Sequence, residues 1–154
     1  MIRFLIAALL ILPAGSALAQ DPAPPDPDAQ AVAEATHEFL TAMVAGEANV
    51  LAGLGSDPFD FDGRKVKGLN AIMKQWEQVL ARHGRDLQNP EGTQIDIFGY
   101  KTAEMKFSKP PRKFAYLNLK RCLFAAITFE HRNGLLLIFK KDKKKKWRVT
   151  AVTD

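Results

Sequence analysis

The chain has 154 residues, of which 47% are hydrophobic and 9% aromatic. That composition suits one globular domain with a real core and excludes a disordered or low-complexity chain. A single cysteine, Cys122, excludes an intramolecular disulfide, and the net charge of +5 divides unevenly along the chain.

The first residues read as a targeting segment. Met1-Ile2-Arg3 is a short basic start, Phe4 to Leu12 is apolar, Pro13 breaks the run, and Ala17-Leu18-Ala19 has small residues at the cleavage spacing. This predicts a secretory signal peptide over residues 1–19 and a periplasmic or secreted mature protein of about 135 residues. The apolar run is too short to span a bilayer comfortably. No cysteine follows the cleavage site, which argues against a lipoprotein, and no second long apolar run occurs. Residues 20–28, QDPAPPDPD, form an extended Pro/Asp-rich leader, and the domain itself is expected over residues 29–154.

Helix one is predicted from about Ala29 to Ala45. Asp28 caps it, Val32, Thr36, Phe39, Leu40 and Met43 share one face, and Gly46 ends it. A short helix follows over Glu47 to Leu54. Phe59-Asp60-Phe61 alternates as a strand, Asp62-Gly63 signals a primed hairpin turn, and Arg64 to Val66 returns. The third helix, about Leu69 to Arg82, carries the apolar stripe Leu69, Ile72, Met73, Trp76, Val79 and Leu80. His83-Gly84 closes it, and Arg85 to Gly92 is a loop.

Four strands are expected to follow. Thr93 to Phe107 alternates, with Gly99 at a bulge. Phe114 to Glu130 is β-rich and bends near Lys120-Arg121. Asn133-Gly134 signals a second hairpin turn, Leu135 to Lys140 is a buried strand, Lys141 to Lys146 turns the chain, and Trp147 to Val152 ends it. The order is αα-ββ-α-ββββ: an α+β fold in which a curved, mostly antiparallel sheet wraps a long helix.

Three stretches carry a resemblance to known proteins. FLTAMVAGEANVLAGLGSD is a helix–Gly–Glu–helix opening. PFDFDGRKVKGLNAIMKQW leads a Phe-x-x-Asp-Gly hairpin through Gly68 into a helix bearing Trp76. LLLIFKKDKKKKWRVTAVTD joins two strands by a charged turn. In this order and spacing they resemble the nuclear transport factor 2-like superfamily, which includes ketosteroid isomerases, polyketide cyclases and scytalone dehydratase. The resemblance covers about residues 29–153. It implies a cone-shaped, cystatin-like domain whose mouth is often a ligand pocket and whose outer sheet face often forms a homodimer. Many members are not enzymes, so fold does not give function.

A ligand in such a cone would meet Phe39, Met43, Phe59, Trp76 and Tyr116, which predicts a site for a small apolar molecule. The leading reading is therefore an exported, non-catalytic domain that binds such a ligand or a protein partner. The alternative is an isomerase, cyclase or dehydratase with an acid–base carboxylate in the cone and donors for an oxyanion. Asp60 is its candidate base, with Tyr100 or Tyr116 as donor. Isomerases of the group place their tyrosine on the first helix, where this chain has Phe39 and no tyrosine.

No metal or cofactor is expected. With Gly63 in the glycine position of a calcium loop, the first and twelfth positions are Pro58 and Leu69, not acids. His37, His83 and His131 include no i,i+4 pair. Charge supplies the third reading. From Gln20 to Tyr100 there are 13 acids and 6 bases, and from Lys101 onward 15 bases and 4 acids. The basic excess peaks at Lys143, Lys144, Lys145 and Lys146, a candidate contact for an anionic surface. Nucleic acid is a poorer match, because no aromatic residues interleave with the lysines. The bland explanation is a solvated turn that protects a strand edge.

Overall fold

In a computed structural model, residues 26–87, 93–107, 112–129 and 132–153 are described. Residues 1–25, where the signal peptide and most of the leader are expected, and His131 lie outside the described residues. The fold is α+β, with helices followed by a six-stranded mixed sheet. Helix α1 spans Pro27–Ala45 and α2 Ala48–Leu54. Strands β1 (Gly55–Phe61) and β2 (Arg64–Val66) form a hairpin, and α3 spans Leu69–Leu87. Strand β3 (Gln94–Gly99) leads into α4 (Tyr100–Phe107), and two 3-10 helices follow at Arg112–Leu117 and Leu119–Arg121. Strands β4 (Leu123–Phe129), β5 (Arg132–Lys141) and β6 (Trp147–Thr153) complete the sheet.

The sheet order is β2-β1-β6-β5-β4-β3. All neighbours are antiparallel except β1 and β6. Strand alternation gives the sheet two apolar faces. Ala125, Ile127, Leu137, Phe139 and Val149 face α1, α2 and α3, and bury Val32, Phe39, Leu51, Ile72 and Trp76. Phe98, Phe124, Ile138 and Ala151 point the other way, onto Ala103 of α4 and Phe114, Leu117 and Leu119. This is a three-layer arrangement. A second copy approaching that outer face would meet α4 and the 3-10 helices before the strands.

Several elements differ from the sequence expectation. Asp26, not Asp28, caps α1: its carboxylate accepts from the Asp28 N–H at 3.0 Å, with Pro27 in the first helical position, where its missing N–H costs nothing. Helix α3 continues through His83-Gly84 to Leu87, as an isolated glycine permits. The expected strand over residues 93–107 divides at Gly99. Tyr100, Ala103 and Phe107 also fit a helical spacing, and a short apolar alternation cannot decide between the two periods. The expected strand over 114–130 begins only at Leu123. Phe114 and Leu117 are three apart, which a 3-10 helix brings to one face, and Asn118 breaks the run at φ 54.

Asn133-Gly134 is not a turn. Phe129 pairs with Arg132 and Ile127 with Leu135, so two residues oppose Thr128 in a bulge. Glycine is needed there because a Cβ would stand 2.5 Å from the Ile127 carbonyl oxygen. The Asp62-Gly63 turn forms as expected, with φ 53 and 91.

Candidate functional site

The structure brings Asp60 and Tyr116 together, on the side of the sheet away from α1 and α3. Phe59 and Phe61 turn their rings towards Trp76. Asp60 lies between them and alternates outward, beside Ala151 of β6, which belongs to the outer layer. Asp60 is only 1% exposed. One carboxylate oxygen accepts from the Gly63 N–H and the other from the Tyr116 hydroxyl. Burial and the Asp60 carboxylate both push the Tyr116 phenol well above its ordinary range, so it serves as a donor. Tyr116 sits on the first 3-10 helix rather than on a strand, and the Lys65 ammonium stands 3.2 Å from its ring centroid.

A second cluster adjoins the first. Lys113 donates to Asp62, and the Thr153 hydroxyl donates to the same carboxylate at 2.6 Å. These two bonds, Lys113 first, hold the Asp62 carboxyl below its ordinary value. Gly63 lets the chain approach closely, since a Cβ there would lie 3.1 Å from the Lys113 Cβ. Together the contacts join the β1–β2 hairpin, the end of β6 and the first 3-10 helix. Tyr100 lies apart, at the start of α4, and donates to Glu104.

The residues expected around a cone ligand are placed as follows. Phe39, Met43, Phe59 and Trp76 lie between α1, α3 and β1, each at most 3% exposed. The Trp76 ring meets Phe39, Phe59 and Phe61 at centroid distances of 5.4, 5.5 and 4.9 Å, all edge-on. Trp76 Nε1 is buried there without an acceptor among the described residues. Tyr116 is separated from these four by the sheet and is 45% exposed.

Sequence reasoning missed two features. The Lys113–Asp62–Thr153 junction had no local signal, because its members are remote in the chain. An open groove of about 650 Å³ runs along α1 and the start of α2, with Glu34, His37, Glu38, Thr41 and Glu47 around an apolar lining of Ala33, Ala42 and Val50. The 34/37/38/41 spacing places those side chains on one face of α1, but the groove itself needs the start of α2 beside them. Among the described residues no group of three or more His, Cys, Asp or Glu side chains is arranged to hold a metal. Among them, too, no helix is long and apolar enough to cross a membrane.

The lysine turn is ordered by one acid. Asp142 accepts from the N–H groups of Lys144 at 2.8 Å and Lys146 at 3.0 Å, and Arg148 pairs with it at 3.5 Å. These bonds, that of Lys146 first, lower the Asp142 carboxyl. Lys141 and the Trp147 indole N–H both donate to Asp28, at 2.8 and 3.0 Å, which ties α1 to the base of the turn. Lys143 to Lys146 are exposed, and none forms an ion pair with a described residue.

No family model and no curated protein matches the chain. Solved structures similar to the chain include the following three. One is a domain of unknown function with a cystatin-like fold from Nostoc punctiforme, 13% identical, with a TM-score of 0.40 over 80% of this chain and 73% of that one. Another is Aln2 from a Streptomyces species, 9% identical, with a TM-score of 0.47 over 84% and 90%. The third, from Xanthomonas campestris, is assigned as a calcium/calmodulin dependent protein kinase II association domain. It is 12% identical, with a TM-score of 0.45 over 84% and 87%.

Proposed function

We propose that this protein is an exported, non-catalytic member of the nuclear transport factor 2-like group that works through its surface. The observation that carries this reading is the placement of Asp60. A cone enzyme needs its carboxylate among the apolar rings that hold the substrate. Asp60 instead lies on the opposite side of the sheet, with its oxygens engaged by Gly63 and Tyr116. The packing of Phe39, Phe59 and Phe61 on Trp76 further supports an interior used for stability. The apolar start of the chain supports export.

One observation favours a second reading, a small ligand inside the cone. Trp76 Nε1 lacks an acceptor among the described residues, and a ligand oxygen would supply one. Native mass spectrometry of the protein purified gently from its own source separates the two. The surface reading expects the bare protein mass. A small molecule carried by the folded species, and lost from Trp76→Phe, would overturn it in favour of the ligand.

A further inference from the structure

We propose that the β5–β6 turn is an electrostatic contact for an anionic phospholipid surface. It names the partner of a domain that works through its surface, and so rests on that reading. The protective explanation of the lysines does not fit the topology. β5 and β6 are the two central strands, each paired on both sides, while the sheet edges are β2 and β3. Lysines at this turn guard no unpaired edge.

Two neighbouring cations, Lys141 and Arg148, are used by the fold. Lys141 is bound to Asp28 and lies 4.9 Å from the Trp147 ring centroid, and Arg148 donates to the Gly53 carbonyl at 2.8 Å and pairs with Asp142. The four lysines at the tip have no such partner among the described residues. They repel one another, and Lys145 holds a left-handed φ of 60, which a glycine would adopt more easily. Asp142 nevertheless orders the turn, so that four exposed lysines share one hydrogen-bonded hairpin end.

The chemistry of the tip selects the partner. Lysine is a point charge without the planar fork that reads a phosphate bidentately. A cluster of such charges suits a diffuse layer of headgroups. The tip residues are exposed, and the adjoining aromatic side chain is occupied: Trp147 Nε1 donates to Asp28, and Lys141 stands over the ring. Single-stranded nucleic acid needs a charged groove and free rings for stacking. A flat anionic bilayer needs neither.

The test is co-sedimentation of the purified protein with vesicles of phosphatidylcholine, with and without phosphatidylglycerol. A lysine near an anionic leaflet contributes about fivefold in affinity, so the four at the tip should together contribute nearly three orders of magnitude, about 600-fold. Binding is expected only to the anionic vesicles, falling steeply as salt is raised. Replacing Lys143, Lys144, Lys145 and Lys146 together by Ser should abolish it, and replacing all four by Arg should keep it within about threefold, since charge alone acts. Thermal melts identify any variant that has lost its fold. The arginine variant keeps the test decisive if the serine variant unfolds. The proposal is overturned by equal binding to pure phosphatidylcholine, by no binding, by retention in the serine variant, or by tighter binding to an oligonucleotide than to anionic vesicles. Each of these leaves the bare-mass result untouched, so the failure of this contact and the failure of the surface reading are distinguishable.

Discussion

Tyr116→Phe is the sharpest probe of the outer cluster. It removes one O–H and leaves the ring beneath Lys65. The deserted oxygen belongs to Asp60, which is buried and keeps only its bond from Gly63. A hydrogen bond to a charged group contributes about 1.5–3 kcal/mol. Tyr116 is itself half exposed, so water can reach the vacated position, and the lower end, about 1.5 kcal/mol, is expected. Asp60→Asn keeps the shape but turns an NH2 group towards one of two donors, and should cost about 2–3 kcal/mol. If the two groups act as a pair, the double variant loses less than the sum, with a coupling of about 1 kcal/mol. The assay is equilibrium urea unfolding, followed by Trp fluorescence and far-UV circular dichroism, with coincident transitions and an unchanged m-value. A Tyr116→Phe variant within about 0.3 kcal/mol of the parent, or strictly additive losses, would refute the structural role assigned to the pair.

Three further outcomes follow from the structure. Gly134→Ala should destabilise by about 1–3 kcal/mol, because the new methyl meets the Ile127 carbonyl; a neutral result would sink the bulge assignment. Cys122 is buried, and burial pushes its thiol up to about 11, so a thiol reagent at neutral pH should label it only as fast as the protein opens. Labelling of the native protein at the rate of a free thiol contradicts that placement. Asp28, Asp62 and Asp142 all titrate below their ordinary value of 3.8 in the fold. Their contribution to stability is complete above that value and is lost as pH falls through the lower folded values. An acid melt should therefore show stability declining below about pH 4, and Asp62→Asn should flatten the decline. The same slope in Asp62→Asn would remove Asp62 from the account.

Much of the helical layer was legible in the chain. The stripes on α1 and α3 bury one face against the sheet, and a helical period sustained over several turns has few competing readings. The Asp62-Gly63 turn was legible because two positive φ values in succession ask for that pair. The strand count also followed from alternation and turn residues, although two of the strands are shorter than expected.

What tertiary structure decided is the outer layer. Residues 100–107 and 112–121 have apolar residues at spacings that suit a strand or a helix. The choice fell to Phe98, Phe124, Ile138 and Ala151, an apolar sheet face that needed covering. Asn133-Gly134 carries the same local preference in a turn and in a bulge, and the neighbouring Ile127 carbonyl selects the bulge. The site followed the same rule. Alternation placed Asp60 opposite Phe59 and Phe61, but only the folded chain brings Tyr116, 56 residues later, onto its oxygen. The lysine run was plain in the sequence. Its place between the two central strands, where no edge needs protection, was decided by the pairing of β1 with β6 and β4 with β5.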